Sequence, residues 1–259
     1  MKRPLALYAA AVYAFLYLPL ATLALFSFNS SRFAVWQGFT LHWYGEAFHN
    51  RQMIEAAENS LIIGVCSTLL STSIGTLAAY GLWKKRAAWL TNSLYLSLLT
   101  PEIVTGISLL AFFQWTFRYM HVHLGLHTVI LAHVSFSIAY AVVVILARLR
   151  TFEVSLEEAA LDLGADDWQV FRLVTIPYLA PAIMAAALLC FAVSFDDYVT
   201  TSLVAGVNSE TLPMVIYSLA RRGISPTVNA LSAVITVGLG TLILVAERLQ
   251  QSRSPKSFK

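Results

Sequence analysis

The chain has 259 residues, of which 58% are hydrophobic and only 12% charged, with a formal net charge of +3 and a mean hydropathy of +0.69. Those values exclude an ordinary soluble domain and point to a polytopic helical membrane protein. Cys66 and Cys190 both fall inside apolar runs, so they read as small packing residues, not as a disulfide or a metal pair.

Hydropathy places six apolar spans near 7–28, 60–82, 92–114, 127–147, 179–203 and 228–247. Each is long enough to cross about 30 Å of hydrocarbon as a helix. The first lacks a small-residue cleavage site and reads as a retained membrane helix, not a removed signal. Lys2, Arg3, Lys84, Lys85, Arg86, Arg148, Arg150, Arg172, Arg248, Arg253, Lys256 and Lys259 fall on one side of these spans. Only Arg32, Arg51, Arg118, Arg221 and Arg222 fall on the other. Positive charge gathers on the cytoplasmic face, so both termini are expected there. The expected fold is an all-α bundle of about six transmembrane helices forming one domain over 1–259.

The first outer segment is polar and aromatic, with Asn29 and Gly38 as turn residues. It is suited either to an external partner or to packing on the helix ends. Trp36, Trp43 and Trp115 near the outer ends, and Trp83 and Trp89 beside the first inner loop, match an interfacial aromatic belt. In the second span Ser67, Ser71, Gly75, Ala79 and Gly81 would let helices approach closely.

Acids at membrane depth are the sharpest clue, because an ionised carboxylate at the bilayer centre costs on the order of 3 kcal/mol or more. Glu102 follows Pro101 in the third span, and the proline is expected to bend or interrupt the helix. Asp196 and Asp197 lie deep in the fifth span, followed by Tyr198. Three acids with no base at comparable depth suit a pathway for a cation. The alternatives are a structural hydrogen bond at Glu102, and an interfacial pair or the cap of a broken helix at Asp196-Asp197. Tyr198, Phe195, Phe112 and Trp115 are candidate faces for an ammonium group or a methylene chain. His133 stands alone in the fourth span, to be satisfied by a neighbouring hydroxyl or used in proton coupling. His121, His123 and His127 read as surface residues of an outer turn; no metal site is expected. The run after the fifth span is too short to cross and reads as an interfacial or re-entrant helix from Pro213 to Gly223.

Between the fourth and fifth spans lies a charged stretch, Leu156 to Pro177. Glu157, Glu158, Ala159 and Ala160 favour helix, Gly164 breaks it, and Asp166-Asp167 can cap a second helix near Trp168. Ile176-Pro177 is expected to end that helix. A short helix–turn–helix fixed at both ends by membrane helices is built to be gripped by another protein. No nucleotide-binding G-x-x-x-x-G-K-[ST] loop, H-E-x-x-H or G-x-S-x-G motif occurs, so the chain is not expected to be an enzyme.

E-A-A at 158–160, Gly164 and Ile176-Pro177 resemble the EAA loop of type I ABC-importer permeases. The stretches T-P-E-I-V-T-G-I-S-L-L, S-F-D-D-Y-V-T-T-S and I-S-P-T-V-N-A-L resemble, more narrowly, the second permease subunit of spermidine/putrescine importers. Permeases for opines, aminophosphonates and iron share some of them. The resemblance implies a multi-pass subunit of the bacterial inner membrane, with residues 148–178 as the coupling loop. Glu157, Glu158, Ala159, Ala160, Gly164 and Asp166 would face the ATPase. Glu102, Asp196, Asp197 and Tyr198 would belong to the substrate pathway. The implied partners are a homologous second permease, a dimer of a cytoplasmic ATPase, an external solute-binding protein and membrane lipid, with no nucleic acid. ATP and Mg would be used by the partner ATPase, with no cofactor in this chain. A different class, an ion-coupled carrier using Glu102, Asp196 and His133, would transport without ATP.

Overall fold

The computed structural model describes residues 2–32, 35–85, 88–120, 122–223 and 226–253. Arg86, His121, Lys256 and Lys259, named above, and Ile224 and Ser225 of the I-S-P-T-V-N-A-L stretch lie outside them. The described residues form helices in the order α1 (Lys2–Phe26), α2 (His42–His49), α3 (Arg51–Lys85), α4 (Ala88–Leu99), α5 (Glu102–Met120) and α6 (Leu126–Leu149). There follow α7 (Val154–Asp162), α8 (Asp167–Val170), α9 (Ile176–Asp196), α10 (Val199–Val204), α11 (Leu212–Arg222) and α12 (Pro226–Arg253). Among the described residues five helical runs are long and apolar enough to span, and α4 with α5 makes a sixth if counted as one broken span. The all-α membrane bundle expected from hydropathy is the fold observed.

Contacts divide the chain into two units, one of residues 1–56 and 214–259, the other of 57–213. In the first, α1 and α12 pack along each other and α12 packs on α2. Its outer loop is organised by Asn29, whose side-chain carbonyl accepts from the Gln37 and Ser31 amides and whose amide donates to the Val35 carbonyl. The Trp43 indole donates to the Asn29 carbonyl at 2.7 Å. Trp43 is therefore buried in this loop and is not a lipid-facing belt residue. The segment packs on the end of α1, where the Ser27 and Tyr44 hydroxyls lie 2.7 Å apart.

In the second unit the core is built from α3, α6 and α9. Ala79, Ala141, Val142, Ile145, Leu149, Leu179, Ala186 and Cys190 are buried together. The serine and glycine row of α3 faces this core: a methyl group on Gly75 would meet the Ala141 side chain at 2.6 Å, and Ser67, Ser71 and Ala79 are fully buried. Gly81 is off the four-residue row and has nothing within 4 Å of its would-be side chain. With lipid as apolar as leucine, such close approach is a main source of helix association.

Two spans depart from the simple pattern. The third breaks between Leu99 and Glu102, where α4 and α5 meet at 104°. Pro101 has no N–H to continue the ladder and pushes Thr100 out of helical geometry; its carbonyl then accepts the Val104 amide to start α5. The fifth span ends at Asp196, seven residues before the expected boundary, because Asp197 caps the next turn instead of continuing the helix. At its other end Ile176-Pro177 does not stop the preceding helix, as the sequence suggests. A wide turn over Phe171–Thr175 carries the Ile176 amide to the Phe171 carbonyl five residues back. That shift in pairing accommodates the missing proline N–H, so residues 167–196 run on as one helical rod.

Candidate functional site: an acid-lined cavity and a pinned loop

The two helix breaks meet. α5 and α10 pack together, and the approach is close at Gly106, where an added methyl group would lie 2.6 Å from Leu203 and 3.3 Å from the Thr200 backbone. Beside them is a cavity of about 310 Å³, lined by residues of α4, α5, α6, α9 and α10. Glu102, Asp196 and Asp197 all line it, with Thr100, Thr105, Thr200, Phe136 and Tyr140. No Lys or Arg stands among the lining residues. The volume lies at the lower end of the roughly 300–1,000 Å³ typical of small-molecule sites.

Each break delivers an acid. Glu102 is the first residue of α5, exposed, where the unpaired amides of a helix start favour negative charge. Asp197 stands at the start of α10, and its carboxylate accepts the Thr201 amide at 2.7 Å and the Thr200 amide at 3.3 Å. Asp196, one residue earlier, is exposed. Asp197 is nearly buried, its side chain 5% accessible.

Behind Asp197 lies a polar cluster. The Thr201 hydroxyl is 2.7 Å from Asp197 Oδ2 and 2.9 Å from His133 Nε2. His133 Nδ1 is 2.7 Å from the Ser194 hydroxyl, which is 2.9 Å from that of Ser67. His133, Thr201 and Ser67 are fully buried. The lone histidine of the fourth span is thus satisfied by hydroxyls on both nitrogens.

Of the aromatic candidates, the structure brings none to the lining. Phe195 is buried and stacks on Phe191 at 5.7 Å. Phe112 and Trp115 are more than half exposed, and Tyr198 precedes α10 outside the cavity. Phe136 and Tyr140 line it instead. They lie three and seven residues after His133, on one helical face, and that spacing was the signal available in the sequence.

The charged stretch forms α7, a turn at Gly164, and α8. Gly164 has φ +88°, a left-handed conformation that side chains disfavour, so it ends α7 as the sequence suggests. Asp166 caps α8: its carboxylate accepts the Gln169 amide at 2.7 Å while the Gln169 side chain accepts the Asp166 amide at 3.0 Å. Glu158, Ala159 and Asp162 are exposed and Ala160 half-buried, beside exposed Leu161, Leu163 and Trp168. Glu157 points the other way. It is 1% exposed, pairs with Lys84, and accepts from Thr175 at 2.8 Å and Tyr80 at 3.3 Å.

Residues 71–258 match the family described as "Binding-protein-dependent transport system inner membrane component". The chain is 38% identical over 243 residues to the spermidine/putrescine transport system permease protein PotC of Escherichia coli (strain K12), covering 92% of this chain and 90% of that protein. It is 38% identical over 241 residues to the putrescine transport system permease protein PotI of the same strain, covering 90% and 86%. Among solved structures, a bacterial ABC transporter involved in the import of the acidic polysaccharide alginate superposes with TM-score 0.79 at 17% identity, covering 98% of each chain. The MetNI methionine ABC transporter in an inward-facing conformation gives 0.60 at 15%, covering 80% of this chain and all of that one. At those identities the structural matches carry the fold alone. The chain therefore belongs to the family of binding-protein-dependent inner membrane transport components, and it is a multi-pass permease subunit of an ABC importer.

Proposed function

We propose that the cargo is a polyamine such as putrescine or spermidine. The observation that carries this reading is the cavity wall, where Glu102, Asp196 and Asp197 converge with no Lys or Arg among the lining residues. Ammonium groups spaced along a methylene chain would find carboxylates on two elements, and Phe136 and Tyr140 for the carbon between them. The likeness to PotC and PotI supports the same cargo.

In this reading the chain pairs with a second, homologous permease in the bacterial inner membrane and receives cargo from a solute-binding protein outside. A dimer of a cytoplasmic ATPase grips the exposed face of α7 and α8. ATP and Mg chemistry belongs to that partner, and this chain catalyses no reaction. Closure of the ATPase is carried through α7 to α9 and switches the access of the cavity.

The test is uptake of labelled putrescine and spermidine in cells lacking endogenous polyamine import, with all four components expressed. Saturable uptake, lost with an ATPase unable to hydrolyse ATP, is expected. Uptake that persists with the dead ATPase would replace the ABC reading with an ion-coupled carrier. No polyamine uptake from an assembled complex would discard the cargo and keep the machine.

A further inference from the structure

The buried cluster behind Asp197 has a direction. An ionised carboxylate can only accept, so the Thr201 hydroxyl, 2.7 Å from Asp197 Oδ2, donates to it. The Thr201 oxygen is then free to accept from His133 Nε2 at 2.9 Å, which assigns the ring proton to that nitrogen; the same nitrogen also lies 3.4 Å from Asp197 Oδ2 itself, a longer contact than the one through Thr201. His133 Nδ1 is left as an acceptor and takes the Ser194 hydroxyl proton at 2.7 Å. Ser194 in turn accepts from Ser67 at 2.9 Å. Four helices, α3, α9, α6 and α10, contribute to one chain of donors ending on a carboxylate at the cavity wall. Bonds aligned this way polarise one another, and Ser67, His133 and Thr201 are fully buried, so a lost bond there leaves a polar group unsatisfied.

We propose that His133 is a positioning residue for transport: through Thr201 it holds the Asp197 carboxylate in the orientation that faces cargo. The proposal rests on the cation-pathway reading above and deepens it. His133 does not line the cavity; it acts on cargo only through Asp197. The ring is rigid and both its nitrogens are occupied, so the carboxylate keeps one orientation when the cavity is empty. Preorganisation of this kind lowers the entropy lost when the cation arrives.

Two substitutions separate this role from general packing. The His133→Gln amide reaches about as far as Nε2 and can still donate to Thr201. The His133→Asn amide reaches about as far as Nδ1, keeping Ser194 and losing Thr201. A structural role would be damaged similarly by both. Positioning predicts an apparent KM for putrescine raised about tenfold by His133→Asn, against about threefold or less for His133→Gln, with maximal rates per inserted complex nearly unchanged. Thr201→Val breaks the same arm from its other end and should reproduce the Asn result, which keeps the test available if His133→Asn fails to insert. Equal KM in the two His133 variants, or an unchanged KM in Thr201→Val, would overturn the proposal. Absence of uptake by the wild-type complex would instead overturn the cargo reading, and this inference with it.

Discussion

The Glu157 carboxylate accepts a hydrogen bond from the Thr175 hydroxyl at 2.8 Å, closing an 18-residue loop between the first turns of α7 and the wide turn that opens α9. Lys84 and Tyr80 meet the same carboxylate from the end of α3. The loop is therefore not a free tether: α7 is clamped to the helix whose far end carries Asp196. Glu157→Ala removes the acceptor shared by three donors, at a cost of roughly 1.5–3 kcal/mol for hydrogen bonds to a charged group. The expected outcome is a lower melting temperature of the purified complex, faster proteolysis between Val154 and Thr175, and ATP hydrolysis that continues with little uptake. Glu157→Gln keeps the Thr175 bond and should be intermediate. Wild-type coupling in Glu157→Ala would show that the clamp is dispensable.

Gly164 has φ +88° and open space around its would-be side chain. Strain and bulk can therefore be separated at this position. Gly164→Asn tolerates the left-handed backbone and should be nearly silent for stability, whereas Gly164→Ala should cost about 1–2 kcal/mol. A Cβ at this position meets nothing within 4 Å, and Gly164→Trp carries the same backbone strain as Gly164→Ala; membrane insertion should therefore match that of Gly164→Ala, yet uptake should be abolished only in Gly164→Trp because the ring occupies the surface offered to the ATPase. Normal uptake in Gly164→Trp would remove the argument that this turn docks.

Packing within the bundle makes a paired prediction on α3. A side chain at Gly75 would lie 2.6 Å from the Ala141 methyl group, while one at Gly81 would touch nothing within 4 Å. Gly75→Leu should destabilise the isolated subunit by about 1–3 kcal/mol through overpacking. Gly81→Leu should stay within about 0.5 kcal/mol of wild type. Thermal unfolding of the detergent-solubilised chain distinguishes them, and equal shifts would mean that the α3–α6 approach is wrong.

Much of this architecture was legible in residues whose chemistry is local. Pro101 must interrupt a ladder, Gly164 must end a helix, and Asp166 with Gln169 caps one, wherever they fold. The two acids of S-F-D-D-Y could be seen as costly in lipid, but not which one would be solvated. That depends on Thr201 being one turn beyond Asp197 and on His133, some sixty residues earlier, being packed against it. Glu157 misled for the same reason: beside Glu158 on a charged loop it reads as another docking residue, and only the fold brings Lys84 and Thr175 to it. Trp43 looked like a belt residue because its distance from a helix end is a sequence property, whereas its bond to the Asn29 carbonyl is not. Pairings across helices have no periodicity to betray them.

The three cavity acids should differ in what their loss does. Glu102 and Asp196 are exposed, whereas Asp197 accepts four donor bonds or contacts from Thr200, Thr201 and the His133 arm. A charge pair 4 Å apart is worth about 4 kcal/mol at an effective dielectric near 20, so neutralising one acid should raise the KM of a diamine at least tenfold. Glu102→Gln and Asp196→Asn should show that increase with no change in thermal stability. Asp197→Asn should show both a higher KM and a lower melting temperature, since its amide cannot accept at both former oxygens. A monoamine of equal length should compete poorly with wild type and lose nothing further in Glu102→Gln if Glu102 holds the second ammonium. Unchanged KM in both Glu102→Gln and Asp196→Asn would mean that the acid cluster has no part in recognising cargo.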